Sequence, residues 1–235
     1  MTKTGASNSQ YRERWLERIL AQVPPGYKIL DAGAGELAYK KFCGHLEYVS
    51  QDFAQYDGQG DNEGLQTNKW DGKNVDIVSD IAKIPVEDSS FDAIMCVEVL
   101  EHISEPVKAI EEFSRILKPG GALILTAPFC SLTHFAPYYF ASGYSKYWYQ
   151  KVLSENGFNI KEIDLNGNYF EYLAQEINRL SGVASRYSQR SFIDKLLSRL
   201  VKPLILTLLG RFSKHDRGSA ELLCYGLNVL AVKNK

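Results

Sequence analysis

The chain has 235 residues, 45% of them hydrophobic, and a formal net charge of −1. This balance predicts one folded domain with a full apolar core, and it gives no basic field of the kind that attracts nucleic acid. The polar N-terminus, the lack of an apolar run of membrane-spanning length and four scattered cysteines without a C-x-x-C pair favour a cytoplasmic protein with reduced thiols.

The chain is expected to begin with disorder and then a helix. Residues 1–9 are polar and are predicted to be disordered. From Gln10 to Val23 the apolar residues recur at helical spacing, and Pro24-Pro25-Gly26 ends the pattern. The apolar run from Tyr27 to Asp31 then predicts the first strand.

A glycine turn follows that strand and is the strongest local signal for a ligand. Gly33 and Gly35 allow a ligand to lie against bare backbone, and Glu36 to Cys43 is expected to form a helix with a free N-terminus. The spacing Gly33-x-Gly35-x-x-Ala38 also satisfies the dinucleotide fingerprint. Asp31 would repel a pyrophosphate, however, so the turn suits a cationic ligand better.

The next two strands are predicted over Leu46–Ser50 and Val75–Ser79. Asp52 follows the first of them and can accept both hydroxyls of a ribose, while Phe53 can pack on a nucleobase. Between them lies a long polar loop, residues 54–74, which is expected to cover the site. Its acidic residues do not match EF-hand spacing, so no metal site is predicted.

The fourth strand is predicted over Phe91–Val97, and it and the fifth strand carry the motifs that point to a family. The run SFDAIMCVEVLEH over residues 90–102 and LKPGG over 117–121, followed by a strand at Ala122–Pro128, resemble the class I S-adenosylmethionine (SAM)-dependent methyltransferases, of the ubiquinone/menaquinone-biosynthesis and small-molecule type. With the glycine turn, these motifs span residues 27–128. Each motif is weak alone, and together they are specific.

The resemblance implies roles for residues at these strand ends. Asp80 would receive the adenine amino group, with the backbone of Ile81 against the ring. Since open α/β sheets place ligands at the carboxyl ends of strands, Glu98 or the carbonyl of Val97 can hold the ligand's ammonium, and His102 can line the methionine portion or act as a base. The candidate cofactor-binding residues are Asp31, Gly33, Gly35, Asp52, Phe53, Asp80, Ile81, Val97, Glu98 and His102.

Residues 129–148 form the most aromatic stretch of the chain and follow the fifth strand. His134 is a candidate general base because the ordinary imidazole pKa is near neutrality. Tyr138, Tyr139 and Tyr144 are candidate acceptor contacts, since they combine an apolar ring with a polar tip. The alternative is an aromatic lid that only excludes water.

A helical insert separates the last two strands. A helix over Gly143–Asn156 and a strand over Phe158–Leu165 precede it, the insert covers residues 168–218, and Glu221–Val232 predicts the last strand. Apolar pairs recur every four residues across 191–210, a period that drifts around a helix. This surface can pack on the core, form a homodimer or lie on a membrane.

These patterns predict a single, doubly wound α/β domain over residues 1–235, with the helical insert before the last strand. The resemblance implies a Rossmann-like seven-stranded sheet whose last strand is antiparallel. The resemblance implies methyl transfer from SAM to an unidentified, most simply small-molecule, acceptor. Two alternatives stay open, an NAD-dependent oxidoreductase and a SAM-binding protein without catalysis. The acceptor, the atom methylated and the oligomeric state are not fixed by the sequence.

Overall fold

The computed structural model describes residues 4–72, 74–189 and 191–235. The helices are α1 Asn8–Leu20, α2 Pro106–Ile116, α3 Lys146–Glu155, α4 Tyr169–Tyr187 and α5 Phe192–Lys214. The strands are β1 Lys28–Ala32, β2 Glu47–Asp52, β3 Ile77–Val78, β4 Phe91–Val97, β5 Leu117–Pro128, β6 Phe158–Asn166 and β7 Gly226–Lys233.

The seven strands form one sheet in the order β3-β2-β1-β4-β5-β7-β6. The pairs β1–β2, β1–β4, β2–β3 and β4–β5 are parallel, whereas β7 pairs antiparallel with β5. The strand order reverses between β1 and β4, and the carboxyl ends of parallel strands at such a switch point form a crevice for ligands. The predicted fold class is confirmed.

Two local predictions next to the glycine turn and the Pro-Gly-Gly segment are wrong. Residues 36–43, which the structure describes throughout, form turns and a short 3-10 turn at Lys40–Phe42 instead of the predicted helix. Gly33, Gly35 and Leu37 all have positive φ, which a right-handed helix cannot accommodate. Strand β5 begins at Leu117, five residues before the predicted start, because Leu117 already pairs with Phe91 of β4, and the pairing shifts register before Ala93 meets Ala122.

The core that supports the site lies where the C-terminal half of α1 packs on the sheet. Trp15, Leu16 and Leu20 are buried with Ile29 of β1 and other apolar residues of the sheet. The Trp15 indole nitrogen donates a 2.7 Å hydrogen bond to Glu162 on β6, which satisfies its polar tip. This packing holds the N-terminal end of β1 and so fixes the glycine turn at the other end.

The chain divides into two compact units. Residues 14–164 with 226–235 carry most of the sheet and all the predicted site residues, whereas residues 165–225 with the chain up to residue 13 form the other. In the second unit, Glu171 accepts hydrogen bonds from the Gly5 N–H and the Tyr225 hydroxyl. Of the nine residues predicted to be disordered, residues 1–3 lie outside the described part of the chain, and α1 begins at Asn8.

Helix α5 has an exposed apolar surface and runs unbroken past Pro203. Its exposed large apolar side chains are Phe192, Ile193, Leu196, Leu197, Leu200, Val201, Leu204, Leu208 and Phe212. Among the helices that the structure describes, none combines the length and the apolarity needed to cross a bilayer.

Candidate active site

The glycine turn after β1 is held tightly against its neighbours. Gly33 and Gly35 have φ values of +77° and +50°. A Cβ built on Gly33 would lie 2.5 Å from a Val99 methyl, and one built on Gly35 would lie 2.5 Å from the Trp70 ring. Both positions therefore need glycine, both for the left-handed backbone and for close approach.

Asp52 lies at the end of β2 and is joined directly to this turn. Its Oδ2 accepts a 2.9 Å hydrogen bond from the Gly35 N–H, and its Oδ1 accepts one of 2.8 Å from the Ala54 N–H. The Gly33 and Ala34 N–H groups both donate to the Gln51 carbonyl at 2.8 Å. The predicted ribose-binding acid and the predicted glycine turn thus form one hydrogen-bonded unit. Phe53 follows it and is half-buried.

Asp31 is more enclosed than the sequence suggested. It is only 2% exposed and its Oδ2 accepts a 2.6 Å hydrogen bond from the Tyr48 hydroxyl. Burial raises the pKa of the Asp31 carboxyl to about 7, a hydrogen bond from Tyr48 opposes this, and the nearby Asp52 charge adds to it. The carboxyl is therefore poised between its two protonation states at neutral pH.

The third strand places its acid at the same edge of the sheet. Asp80 is exposed, and its Oδ1 accepts a hydrogen bond from the Ala82 N–H at 2.9 Å, while Ile81 is buried. The Gln51 side chain donates a 2.7 Å hydrogen bond to the Ser79 carbonyl. Gln51 thereby links the ends of β2 and β3, which places the adenine and ribose candidates next to each other.

The end of β4 is strained at Glu98. This non-glycine residue has φ +56°, a conformation that costs of order 1–3 kcal/mol and is found preferentially at functional sites. Two hydrogen bonds to Thr126 on β5 hold it, one from the Glu98 N–H to the carbonyl and one from the Thr126 hydroxyl to Glu98 Oε1, both 2.9 Å. Val97 before it is buried.

The long polar loop contributes an aromatic cover. Trp70 lies against Gly35, and its ring is 5.9 Å from that of Tyr56 and 5.1 Å from that of Phe135. Leu65 pairs with the aromatic segment after β5, because its carbonyl accepts a hydrogen bond from the Phe135 N–H. The loop and the segment therefore close over the glycine turn together.

The two candidate catalytic histidines lie side by side. The rings of His102 and His134 are 4.7 Å apart, and each Nδ1 is bonded to a backbone carbonyl, that of Tyr138 at 2.5 Å and that of Leu132 at 2.8 Å. Both Nε2 atoms face Oε1 of the buried Glu101, at 3.8 and 4.0 Å. Burial is the main reason why the pKa of His102 falls to about 4, so this imidazole is neutral at physiological pH.

The three candidate tyrosines have different environments. Tyr138 packs edge-on against Phe53 at 4.9 Å, which connects the aromatic segment to the end of β2. The Tyr139 hydroxyl donates to the Ser131 carbonyl at 2.6 Å, and that of the buried Tyr144 donates to the Leu100 carbonyl at 2.8 Å. Tyr138 is thus the one of the three whose ring borders the cofactor candidates.

Sequence reasoning missed several residues that build the site. Glu101, Gln51 and Trp70 were not among its candidates, although Glu101 lies within the motif at residues 90–102. A signal for Glu101 was present, since a carboxylate next to a histidine after a strand end is a possible ligand pair. Trp70 had no such signal, because its contact with Gly35 depends on the path of a long loop.

Comparisons with known proteins agree with this geometry. Residues 30–125 match a family model described as a methyltransferase domain. A demethylmenaquinone methyltransferase of Renibacterium salmoninarum is 32% identical over 117 residues, which are 48% of this chain and 46% of that protein. The chain spans less than half the length of the curated relatives it matches.

Two solved structures show the same fold. The [4+2]-cyclase SpnF aligns with a TM-score of 0.57 at 18% identity, covering 96% of this chain and 82% of the cyclase. Phosphoethanolamine N-methyltransferase 2 of Haemonchus contortus, solved in complex with SAM, aligns with a TM-score of 0.50 at 16% identity, covering 95% of this chain and 52% of that one. The predicted family resemblance is confirmed.

Proposed function

We propose, on the premise that this chain carries a domain of the class I SAM-dependent methyltransferase family, that it transfers a methyl group from SAM to a small-molecule acceptor. The observation that carries the proposal is the 2.9 Å hydrogen bond between Asp52 and the Gly35 N–H. It supports the proposal because it joins the predicted ribose-binding acid to the glycine turn, so that a nucleoside could meet bare backbone and a carboxylate together.

The charges of the site support a cationic cofactor. Asp31, Asp52 and Glu98 all lie at the ends of β1, β2 and β4. The residues after Gly35 form turns, so they do not offer the helix N-terminus that binds a pyrophosphate in dinucleotide enzymes. Both features favour SAM over NAD, and the observation on the side of the oxidoreductase alternative is the dinucleotide-like spacing Gly33-x-Gly35-x-x-Ala38.

Different side chains around the glycine turn would bind different portions of SAM. Asp52 would accept the ribose hydroxyls, with Phe53 against the adenine, and Asp80 with the Ile81 backbone would receive the adenine edge. Glu98, fixed by Thr126, and the Val97 carbonyl would hold the ammonium. Trp70 lies against Gly35 and would have to move aside or stack on the ligand.

Bound SAM supplies a methyl group on a sulfonium, which the acceptor's lone pair attacks in line while the S–C electron pair returns to sulfur. The chain's contribution is to position the acceptor and exclude water, and the aromatic segment at 129–148 is suited to both tasks. Where the acceptor is a hydroxyl, its proton must be removed. The Nε2 atoms of His134 and His102 are the candidate proton acceptors, because each Nδ1 bonds to a carbonyl.

The relatives suggest the class of acceptor. The matched Renibacterium protein is named for demethylmenaquinone, and a Xanthomonas oryzae relative is named as a ubiquinone-biosynthesis O-methyltransferase. We take from these names a small ring compound as the acceptor, in keeping with the aromatic lining. A cytoplasmic location, and contact of the surface 191–210 with a membrane or with a second copy, are part of the same proposal. Flotation with lipid vesicles and light scattering would separate the two contacts.

Calorimetric titration with SAM, S-adenosylhomocysteine and NAD tests the proposal. We expect SAM and its product to bind, NAD not to bind, and an Asp52→Ala variant to lose binding. Asp88→Ala, which removes an acid paired with Arg115 outside the site, is the matched control and should bind like the wild type. NAD binding without SAM would overturn the proposal. SAM binding with no methylated product from any hydroxyl acceptor would favour the non-catalytic alternative.

A further inference from the structure

Three potential metal ligands converge beside the cofactor candidates. One ligating atom each of Glu101, His102 and His134 lies within 4.8 Å of those of the other two. The three come from two separate segments, because Glu101 and His102 follow β4 and His134 belongs to the segment after β5. Their convergence therefore depends on the fold and is not a local sequence effect.

The hydrogen bonds of the two rings fix where their lone pairs point. A backbone carbonyl has no proton to give, so the Nδ1 atoms that contact the Tyr138 and Leu132 carbonyls must be the donors. In a neutral imidazole the lone pair is then on Nε2, and both Nε2 atoms face Glu101 Oε1. Metal-ligating histidines show this arrangement, with the second ring nitrogen donating to a carbonyl.

The burial of the three side chains suits a bound cation. Glu101 has a side chain only 1% exposed, and those of His102 and His134 are 16% and 22% exposed. A carboxylate oxygen and two imidazole nitrogens within 4.8 Å of one another form a donor set that attracts a cation.

We propose that Glu101, His102 and His134 bind a divalent transition-metal ion of the Zn²⁺ type. Two imidazoles and one carboxylate favour such an ion over Mg²⁺ or Ca²⁺, which prefer oxygen ligands alone. Bonds to a tetrahedral Zn²⁺ are about 2.0–2.2 Å long, and two of its ligand atoms lie farther from each other than either lies from the ion. The Nε2–Oε1 separations of 3.8 and 4.0 Å between the ligands therefore need to shorten by only a few tenths of an ångström on binding. Three protein ligands leave a coordination position open for another molecule.

A bound ion would restrict the methyl acceptor to one chemical class. This inference about the acceptor rests on the proposed methyl transfer. An acceptor hydroxyl bound at the open position would have its pKa lowered, as that of metal-bound water is. Its proton leaves to solvent, the oxygen lone pair forms the bond to the methyl carbon, and the S–C pair returns to sulfur. The acceptor is then a hydroxyl compound, and the two histidines are ligands instead of bases. The aromatic side chains around His134, including Tyr139 at 5.3 Å, favour a phenol or catechol.

Zinc titration of untagged, chelator-treated protein tests the site directly. We expect saturable binding of one Zn²⁺ per chain, and binding of Co²⁺ with visible d–d absorption that reports nitrogen and oxygen ligands. His134→Ala should weaken Zn²⁺ binding more than roughly 100-fold, beyond the ~10- to 100-fold loss typical of removing a group that only orients a ligand. Circular dichroism and the melting temperature show whether this variant folds, and His102→Ala repeats the test from the other segment.

His45→Ala is the matched control, because His45 is an imidazole outside the cluster whose Nε2 contacts the Val23 carbonyl. It should bind Zn²⁺ like the wild type. Absence of saturable Zn²⁺ or Co²⁺ binding, or unchanged binding by folded His134→Ala, would overturn the metal site. SAM titration of the metal-free protein separates the two proposals. SAM binding without metal binding overturns only the metal site, whereas metal binding without SAM binding overturns only the proposed methyl transfer.

Discussion

Replacing Asp31 by asparagine should change how the stability of this protein depends on pH. The Asp31 carboxyl is buried at the end of β1, and its pKa rises to about 7 from the ordinary value of 3.8, chiefly because burial penalises the charged form. Asparagine has nearly the same shape and is neutral at every pH. Its amide oxygen can still accept the hydrogen bond from Tyr48.

The sign and size of the effect follow from the two pKa values. Because the folded-state pKa lies above the unfolded one, protonation of Asp31 stabilises the fold fully below about pH 4. That contribution is lost as the pH rises to about 7. The difference between 3.8 and about 7 corresponds to at most ~4 kcal/mol, at about 1.36 kcal/mol per pKa unit. The asparagine variant should therefore gain a few kcal/mol relative to the wild type between pH 4 and pH 7.

Urea unfolding of the ligand-free protein at closely spaced pH values measures this difference. Asp92→Asn is the control. Burial acts to raise the pKa of Asp92, but hydrogen bonds from Lys118 and the Lys28 N–H outweigh it and lower the pKa. The stability that Asp92 contributes is thus lost as the pH falls through its folded-state pKa, below the window of Asp31. Parallel curves for the wild type and Asp31→Asn between pH 4 and pH 7 would refute the reasoning.

Three further predictions concern the cofactor site and the core. SAM binding should change the intrinsic tryptophan fluorescence, and Trp70→Phe should abolish the change while Trp148→Phe keeps it, because Trp70 alone of these two lies against Gly35. An unaltered signal in Trp70→Phe would contradict this. Gly35→Ala should cost of order 1–3 kcal/mol in urea unfolding and weaken SAM binding in calorimetry, since its φ of +50° and the Trp70 ring exclude a Cβ. A Gly35→Ala variant with the stability and the SAM affinity of the wild type would contradict this prediction. Leu16→Ala, at a fully buried position, should cost about 2–5 kcal/mol, and Leu204→Ala, at a side chain 71% exposed, less than about 0.5 kcal/mol. Equal losses would contradict the packing described here.

Strand positions and the family resemblance were accessible from the sequence because they depend on local pattern. The fourth strand, Phe91–Val97, was predicted with its observed bounds, since a continuous apolar run between turn residues is typical of a strand buried on both faces. The antiparallel direction of the last strand was implied by the resemblance. The helix expected at residues 36–43 failed for a local reason, because the pattern does not show that Leu37 takes a positive φ.

The residues of the candidate site and their chemical states could be predicted only in part from the sequence. Asp52 and Gly35 could be named as candidates from their positions at strand ends, and the structure joins them by a hydrogen bond. The protonation state of Asp31 could not be predicted, because burial sets its pKa and burial is a property of the packed molecule. In the same way, His102 and His134 were separate candidates 32 positions apart until the fold brought their rings to 4.7 Å.

The sequence by itself determined the α/β sheet, the glycine turn and the resemblance to the methyltransferases, because periodicity and short motifs act over a few neighbouring residues. Only the tertiary structure decided which long-range contacts form. It placed Trp70 against Gly35 and directed the imidazoles of His102 and His134 at Glu101. Such contacts depend on the paths of two long segments between strands, and the free energy that selects those paths comes from packing across the whole unit.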